Sequence, residues 1–308
     1  MTVCVLGSLN LDITCRVSAL PLPGETIVGQ AVARSLGGKG ANQAIAAVRH
    51  GAPTVLIGAV GSDEAGESLL MDLRQAGVNV DGVVAIPGLP TGQAYITVAD
   101  GGENTIIVIG GANRALTPEL LRPGVLDRAS VLLAQFETPF DVISSSFSSP
   151  AARRGTTILN AAPALVDGAE LFDLADILVV NQTELARYAG ADEADELEAV
   201  AAAARRLISR PDQQVVVTLG ARGAAAIGPE SAWMVDGRRA EAVDTTGAGD
   251  CFCGVLAATL SEGRALREAM IAANAAAALS TQRRGAGLSA PTRAETEALL
   301  DVTRNPGG

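Results

Sequence analysis

Short apolar runs rich in β-branched residues recur along the chain, at residues 3–7, 54–60, 131–134, 156–160, 177–180 and 215–219. Apolar runs of this length without polar alternation read as strands buried on both faces of a parallel sheet. Between them the apolar positions take the helical period, at residues 41–50, 64–75, 183–189 and 195–209. Strand–helix alternation of this kind predicts βαβ units with right-handed crossovers, hence an α/β fold. Two regions break the rhythm. Residues 13–17 with 26–33, and 93–99 with 105–109, look like half-buried strands joined by turns such as Asp100-Gly101-Gly102. They predict a small sheet, about 13–35 and 92–110, projecting from one α/β domain over residues 1–308 and interleaved with it in sequence. The last third is predicted helical at 248–262, 265–282 and 292–300, and the Ser-rich stretch 144–149 before Pro150 reads as a solvated helix end or loop.

Composition narrows the possibilities. With 48% hydrophobic and 19% charged residues in 308, the chain has the make-up of an ordered globular protein. Its net charge of −11 opposes binding to nucleic acid. No uncharged run is long and apolar enough to span a membrane, and the first residues lack a basic segment, so a cytoplasmic protein is expected. The 4 cysteines (Cys4, Cys15, Cys251 and Cys253) make neither a disulfide framework nor a zinc site, and read as reduced structural thiols. The 1 histidine, His50, precedes Gly51 at a predicted helix end and reads as part of its C-terminal cap, which leaves no His-rich metal site or Ser–His triad.

Two familiar phosphate-binding patterns fail. Gly37-Gly38-Lys39-Gly40 lacks both the first glycine and the Ser/Thr of a P-loop, and Gly247-Ala248-Gly249 has Phe252 where a dinucleotide fingerprint needs its third glycine. What survives is Asp244-Thr245-Thr246-Gly247-Ala248-Gly249-Asp250, directly before an apolar helix. Glycines and free N–H groups at a helix start form an anion hole, and a carboxylate inside it, Asp250, is suited to serve as base for an attacking hydroxyl. The plain alternative is a helix-favouring acid in the first turn. A second cluster, Gly37-Gly38-Lys39-Gly40-Ala41-Asn42-Gln43-Ala44, can close over a polyol with Asn42 offering donor and acceptor, or can be an ordinary turn with a solvated lysine. Asn10 and Asp12 alternate after the first strand, where open α/β sheets bind ligands, and so share one face.

On the first signature, Gly38-Lys39-Gly40-Ala41-Asn42-Gln43-Ala44 with Gly51 and Gly61, and the second, Asp244 to Asp250 followed by Phe252 and Gly254, the chain resembles the phosphofructokinase B type carbohydrate kinases. Gly7-Ser8-Leu9-Asn10-Leu11-Asp12, Pro23-Gly24-Glu25-Thr26, Gly111-Ala112-Asn113 and Arg283-Arg284-Gly285-Ala286 resemble the members that phosphorylate the 5-hydroxyl of D-ribose with ATP. The resemblance implies a three-layer, mostly parallel sheet with helices on both faces and the small sheet as a lid. It implies Asp250 as catalytic base and Gly247, Ala248 and Gly249 as anion hole. Asn10, Asp12, Gly38, Lys39, Gly40, Ala41, Asn42 and Glu137 would hold the sugar. Asn181 and Glu184, within Asn181-Gln182-Thr183-Glu184, would organise Mg²⁺ and phosphate, while Thr218, Leu219, Gly220, Ala221, Arg222, Gly223, Gly249 and Asn274 would frame ATP. Asp244, Thr246, Ser280, Arg283, Gly285 and Ser289 would bind an activating K⁺. Lid sheets pair in many family members, which implies a homodimer. Two other functions fit the pattern, a nucleoside kinase of the same family and a catalytically silent sugar-binding regulator. Tyr95 is the only obvious aromatic in the predicted lid to meet a base, and Asp250 with Asn181 and Glu184 argues for turnover.

Overall fold

The computed structural model describes residues 1–304. Strand β1 (Thr2–Leu6) leads to β2 (Asn10–Val17), β3 (Ala31–Gly37), α1 (Lys39–Arg49), β4 (Thr54–Gly61), α2 (Glu64–Gln75), β5 (Asn79–Ile86), β6 (Gly92–Ala99) and β7 (Asn104–Ile109). Then come β8 (Ala129–Gln135), α3 (Phe140–Phe147), β9 (Thr156–Asn160), β10 (Ile177–Asn181), α4 (Gln182–Ala189), α5 (Leu197–Arg205), β11 (Gln214–Thr218), β12 (Gly223–Ile227) and β13 (Ala232–Asp236). Helices α6 (Ala248–Ser261), α7 (Leu266–Ser280) and α8 (Arg293–Arg304) follow.

Nine strands form one sheet in the order β13-β12-β11-β10-β9-β8-β1-β4-β5. It is parallel from β5 to β11, and β12 runs antiparallel to both its neighbours. Side chains alternate across a strand, so β1 sends Val3 and Val5 to one face and Cys4 and Leu6 to the other. The first face packs on Ala44 and Ile45 of α1, Leu69 and Leu73 of α2, and Val255 and Leu256 of α6. The second packs on Val142 and Ile143 of α3 and Val200 and Ala204 of α5. Both faces are covered, which is why the central runs are continuously apolar.

A second sheet, β3-β2-β6-β7, is built from strands inserted between elements of the first. Strand β2 is parallel to β6 and antiparallel to β3. It starts at Asn10, earlier than the alternation of apolar residues indicates, and β3 starts at Ala31, with residues 26–30 outside any strand. Sequence patterning also misses β5, β12 and β13. Strand β12 reads Gly-Ala-Ala-Ala-Ile, residues of low strand propensity held there by pairing with β11 and β13. Part of the Ser-rich stretch lies inside α3, with Ser146 buried. His50 takes the C-cap of α1, and burial, aided by the positive Arg293, lowers its imidazole to about 4. All four cysteines are free, and burial raises the Cys4 and Cys251 thiols to about 12.

The approach of α1 to α6 positions the later chemistry. Gly254 of α6 faces α1 so closely that a Cβ there would lie 2.4 Å from the Gln43 carbonyl oxygen and 2.7 Å from the Ala46 Cβ. Gly254→Ala should therefore part the helices and destabilise the fold by about 1–3 kcal/mol. Urea denaturation checks this; an unchanged midpoint would contradict it.

Candidate active site

The strand order diverges on either side of β1, with β4 on one flank and β8 on the other. Ligands of open α/β sheets bind outside the carboxyl ends of the strands at such a point. Here the ends of β1 and β8, the start of β2 and the start of α1 converge, and the loop before α6 closes the opposite wall. Gly247 is the N-cap of α6 at φ +75°, where a Cβ would also come within 2.8 Å of the Ala286 Cα. This turn leads straight to the unpaired amides of the first helical turn. The Gly249 amide has no acceptor among the described residues, as an anion hole requires. The Ala248 amide departs from expectation, because the tight turn directs it to the Thr245 carbonyl at 3.2 Å.

Asp250, in that first turn, is 8% exposed. Its Oδ2 accepts from Asn42 Nδ2 at 3.0 Å and its Oδ1 from Gln43 Nε2 at 2.9 Å. Asn42 is thus turned to the aspartate. Gly40 and Ala41 are buried, with the Ala41 amide donating to Ser8 O, so they pack α1 against the Gly7–Ser8 turn and do not present groups to a sugar. Glu137, just beyond β8, accepts from the Lys39 amide at 3.2 Å and from the Ser8 hydroxyl, anchoring the first turn of α1 by its carboxylate.

Asn10 and Asp12 stand two apart on β2, facing this wall. Asn113 donates to Asn10 Oδ1 at 2.9 Å while bonding both the amide and the carbonyl of Leu9, so it fixes where β2 leaves β1. Asn113 belongs to the Gly111-Ala112-Asn113 motif, but its role comes from its burial, which the sequence does not show. Burial raises the Asp12 carboxyl to about 7, aided by the negative Glu137 and Asp250. The Lys39 ammonium is held above its usual value by Asp250, against the effect of burial and with help from Glu137 and Glu184. One cation therefore sits among several acids.

On the far side of Gly249 lies a cavity of about 780 Å³ lined by Thr218, Gly220, Ala221, Gly223, Gly249 and Asn274, as expected for a nucleotide. Leu219 and Arg222 do not line it. Leu219 is buried, and the Arg222 guanidinium pairs with Asp195 at 2.8 Å. Arg238, Arg239, Phe252, Thr281 and Gln282 line it without having been anticipated. A smaller cavity of about 130 Å³ adjoins it, sharing Thr218 and Gly249, and is lined by Lys39, Asn181, Glu184 and Asp250.

Asn181 and Glu184 form a reciprocal capping box at the start of α4, each side chain accepting from the other residue's amide at 2.8 Å. The motif thus has a structural task of its own. Burial raises the Glu184 carboxyl, with the Asn181 amide and Lys39 opposing and Asp250 adding to the rise. No cluster of three or more His, Cys, Asp or Glu able to hold a metal exists among the described residues. Mg²⁺ is commonly held by one or two carboxylates together with substrate phosphates and water, and Glu184 on the small cavity is a carboxylate placed for that.

At the candidate cation site, Asp244 accepts from the Thr246 amide at 2.9 Å and the Gly285 amide at 3.1 Å, joining the two loops behind the anion hole. Burial works to raise its carboxyl, but these bonds and the nearby Arg284 outweigh it and hold it below the usual range. The Ser280 and Ser289 hydroxyls donate to Ala277 and Ala286 carbonyls, and Arg283 is paired with Glu295. The Asp244 carboxylate, which keeps lone pairs beyond its two amide bonds, and the Ser280 and Ser289 hydroxyl oxygens are oxygen donors of a kind suited to K⁺, whereas the Arg283 side chain is paired with Glu295.

The family model described as pfkB family carbohydrate kinase matches residues 1–293, and the chain belongs to that family. Its relatives specify the class further. The chain is 36% identical over 302 residues to the ribokinase of Haemophilus influenzae, covering 97% of this chain and 98% of that one. It is 38% identical over 302 residues to a bifunctional ribokinase/ribose-5-phosphate isomerase A of Fructilactobacillus sanfranciscensis; 97% of this chain matches, spanning 55% of that longer protein. The structure of Arabidopsis thaliana ribokinase complexed with ribose and ATP superposes with a TM-score of 0.87 at 33% identity, covering 97% and 98% of the two chains.

Asp12 supplies a test. A carboxyl raised from 3.8 to about 7 on folding contributes stability that is present below its unfolded value and lost as pH rises through about 7. Asp12→Asn should therefore melt progressively higher relative to the parent chain between pH 4 and 8. Thermal unfolding without ligand measures it; parallel melting curves across that range would contradict the placement of Asp12.

Proposed function

We propose that the chain is a ribokinase, transferring the γ-phosphoryl group of ATP to the 5-hydroxyl of D-ribose to give ribose 5-phosphate and ADP. One observation carries the reading: Asp250 lines a small cavity with Lys39, Asn181 and Glu184 that meets a nucleotide-sized cavity at Gly249, and it lies close enough to Asp12 to help raise that carboxyl. The similar Arabidopsis thaliana ribokinase, complexed with ribose and ATP, supports the pair of substrates.

In this mechanism Asn10, Asp12, Lys39 and Glu137 hold the sugar hydroxyls, and closure of the β3-β2-β6-β7 sheet as a lid excludes water. Asp250 accepts the proton of the 5-hydroxyl as that oxygen forms its bond to the γ-phosphorus and the bond to the β-phosphate bridging oxygen breaks. The Gly249 amide and Lys39 meet the charge on the transferring group, which asks for alignment and electrostatics more than covalent chemistry. Mg²⁺ bound with ATP would neutralise the phosphates and orient them, with Glu184 and Asn181 as the protein groups beside it. The exposed edge strand β7, with Ile106 to Ile109, supports a homodimer through paired lids.

Asp250→Asn should lower kcat by about 10²- to 10⁴-fold, the usual worth of a general base, and leave ATP binding near normal. A coupled assay for ADP release with a panel of pentoses, hexoses and nucleosides tests the reading. Turnover with nucleosides alone would replace it by a nucleoside kinase, and no turnover with any acceptor would favour a silent sugar-binding protein. Asp244 and the 283–289 loop lead to a further expectation, that initial rates rise when NaCl is replaced by KCl at constant ionic strength. Equal rates would discard the K⁺ site.

A further inference from the structure

Behind Asp250 lies a chain of four buried amide side chains, Asn42 and Gln43 of α1, Gln135 of β8 and Asn160 of β9. Backbone groups at two points fix which end of each amide points where. The Gly287 N–H can only donate, and it gives its hydrogen to Asn42 Oδ1 at 3.0 Å, which turns Asn42 Nδ2 to Asp250. The Val179 carbonyl can only accept, and it takes Asn160 Nδ2 at 3.3 Å, which turns Asn160 Oδ1 inward. Gln43 Nε2 then spends one hydrogen on Asn160 Oδ1 at 3.1 Å and the other on Asp250 Oδ1 at 2.9 Å. Its Oε1 accepts from Gln135 Nε2 at 2.6 Å. Rotating the Gln43 amide by half a turn would set its oxygen against two acceptor oxygens and its nitrogen against another nitrogen. Gln43 is therefore locked, and so is the inner oxygen of Asp250.

We infer that Gln43 is a positioning residue for the phosphoryl-transfer step, setting the plane of the Asp250 carboxylate so that its remaining lone pairs face the acceptor hydroxyl, with Gln135 and Asn160 fixing Gln43 in turn. The inference rests on Asp250 being the base. Gln43 touches neither sugar nor nucleotide in this arrangement, and it lines neither cavity. Its removal should act on the alignment of the reacting groups and not on substrate affinity. Catalytic groups tolerate about 0.5 Å and 10–20° of error, so one lost hydrogen bond to the carboxylate is enough to register.

The test uses Gln43→Met, Gln135→Met, Asp250→Asn and the double variant Gln43→Met/Asp250→Asn in the full chain, with rates normalised to nucleotide-binding sites. Gln43→Met should lower kcat about 10- to 100-fold with KM for ribose and ATP within about threefold. Gln135→Met, which frees the far end of Gln43, should lower kcat by about 2- to 10-fold, and it decides the matter if Gln43→Met does not fold. In the Asp250→Asn background, Gln43→Met should have no further effect on turnover, because it acts through the carboxylate. Gln43→Met with kcat within twofold of the parent, a rise in KM that accounts for the whole loss, or full additivity in the double variant would each overturn the inference while Asp250→Asn stays inactive. An active Asp250→Asn would instead overturn the assignment of the base, and the inference with it.

Discussion

Burying the negative charge of Asp250 is the constraint on which the rest of the structure depends. Taking an ion out of water costs several kcal/mol even after relaxation, and breaking up its partners is strongly destabilising. The cost is offset by two amide donors from α1, by Lys39, and by the helix N-terminus in which the aspartate sits. Each of these needs the others in place. The amides reach Asp250 only because α1 lies against α6 at Gly254, and α1 lies there because the flanking strands carry it across the carboxyl end of β1.

The same charge organises what is around it. Asp12, Glu137 and Glu184 approach a site that must also admit a polyanionic nucleotide, an arrangement that is unfavourable when the site is empty. Under the proposed function, neutral hydroxyls would donate to these acids while Lys39 and the first turn of α6 would meet phosphate from the other side, separating a polyol region from an anion region. Burial, and after it the negative Glu137 and Asp250, raises the Asp12 carboxyl. A carboxyl raised in this way costs the unliganded protein stability near neutral pH, as is common at sites that trade stability for function.

Much of this is legible in the chain. The buried parallel strands and the glycine turn before α6 with Asp250 in its first turn follow from local pattern and signature residues. What local pattern leaves out shares a cause. Strands β12 and β13 have weak local signals and exist by pairing, and the roles of Gly40, Ala41, Ala248 and Arg222 depend on which partner lies next to them in space. Asn181 and Glu184 bond each other as a capping box, a structural use that coexists with lining the small cavity. Gln43, Gln135 and Asn160 lie far apart in sequence, and nothing local marks polar residues that will face one another in the core.

The most direct measurement is phosphorus and proton NMR of the product formed from D-ribose and Mg·ATP. One new phosphomonoester is expected, whose phosphorus couples to the two protons on C5. Coupling to the proton on C1, or loss of γ-phosphate to water with the ribose unchanged, would contradict it.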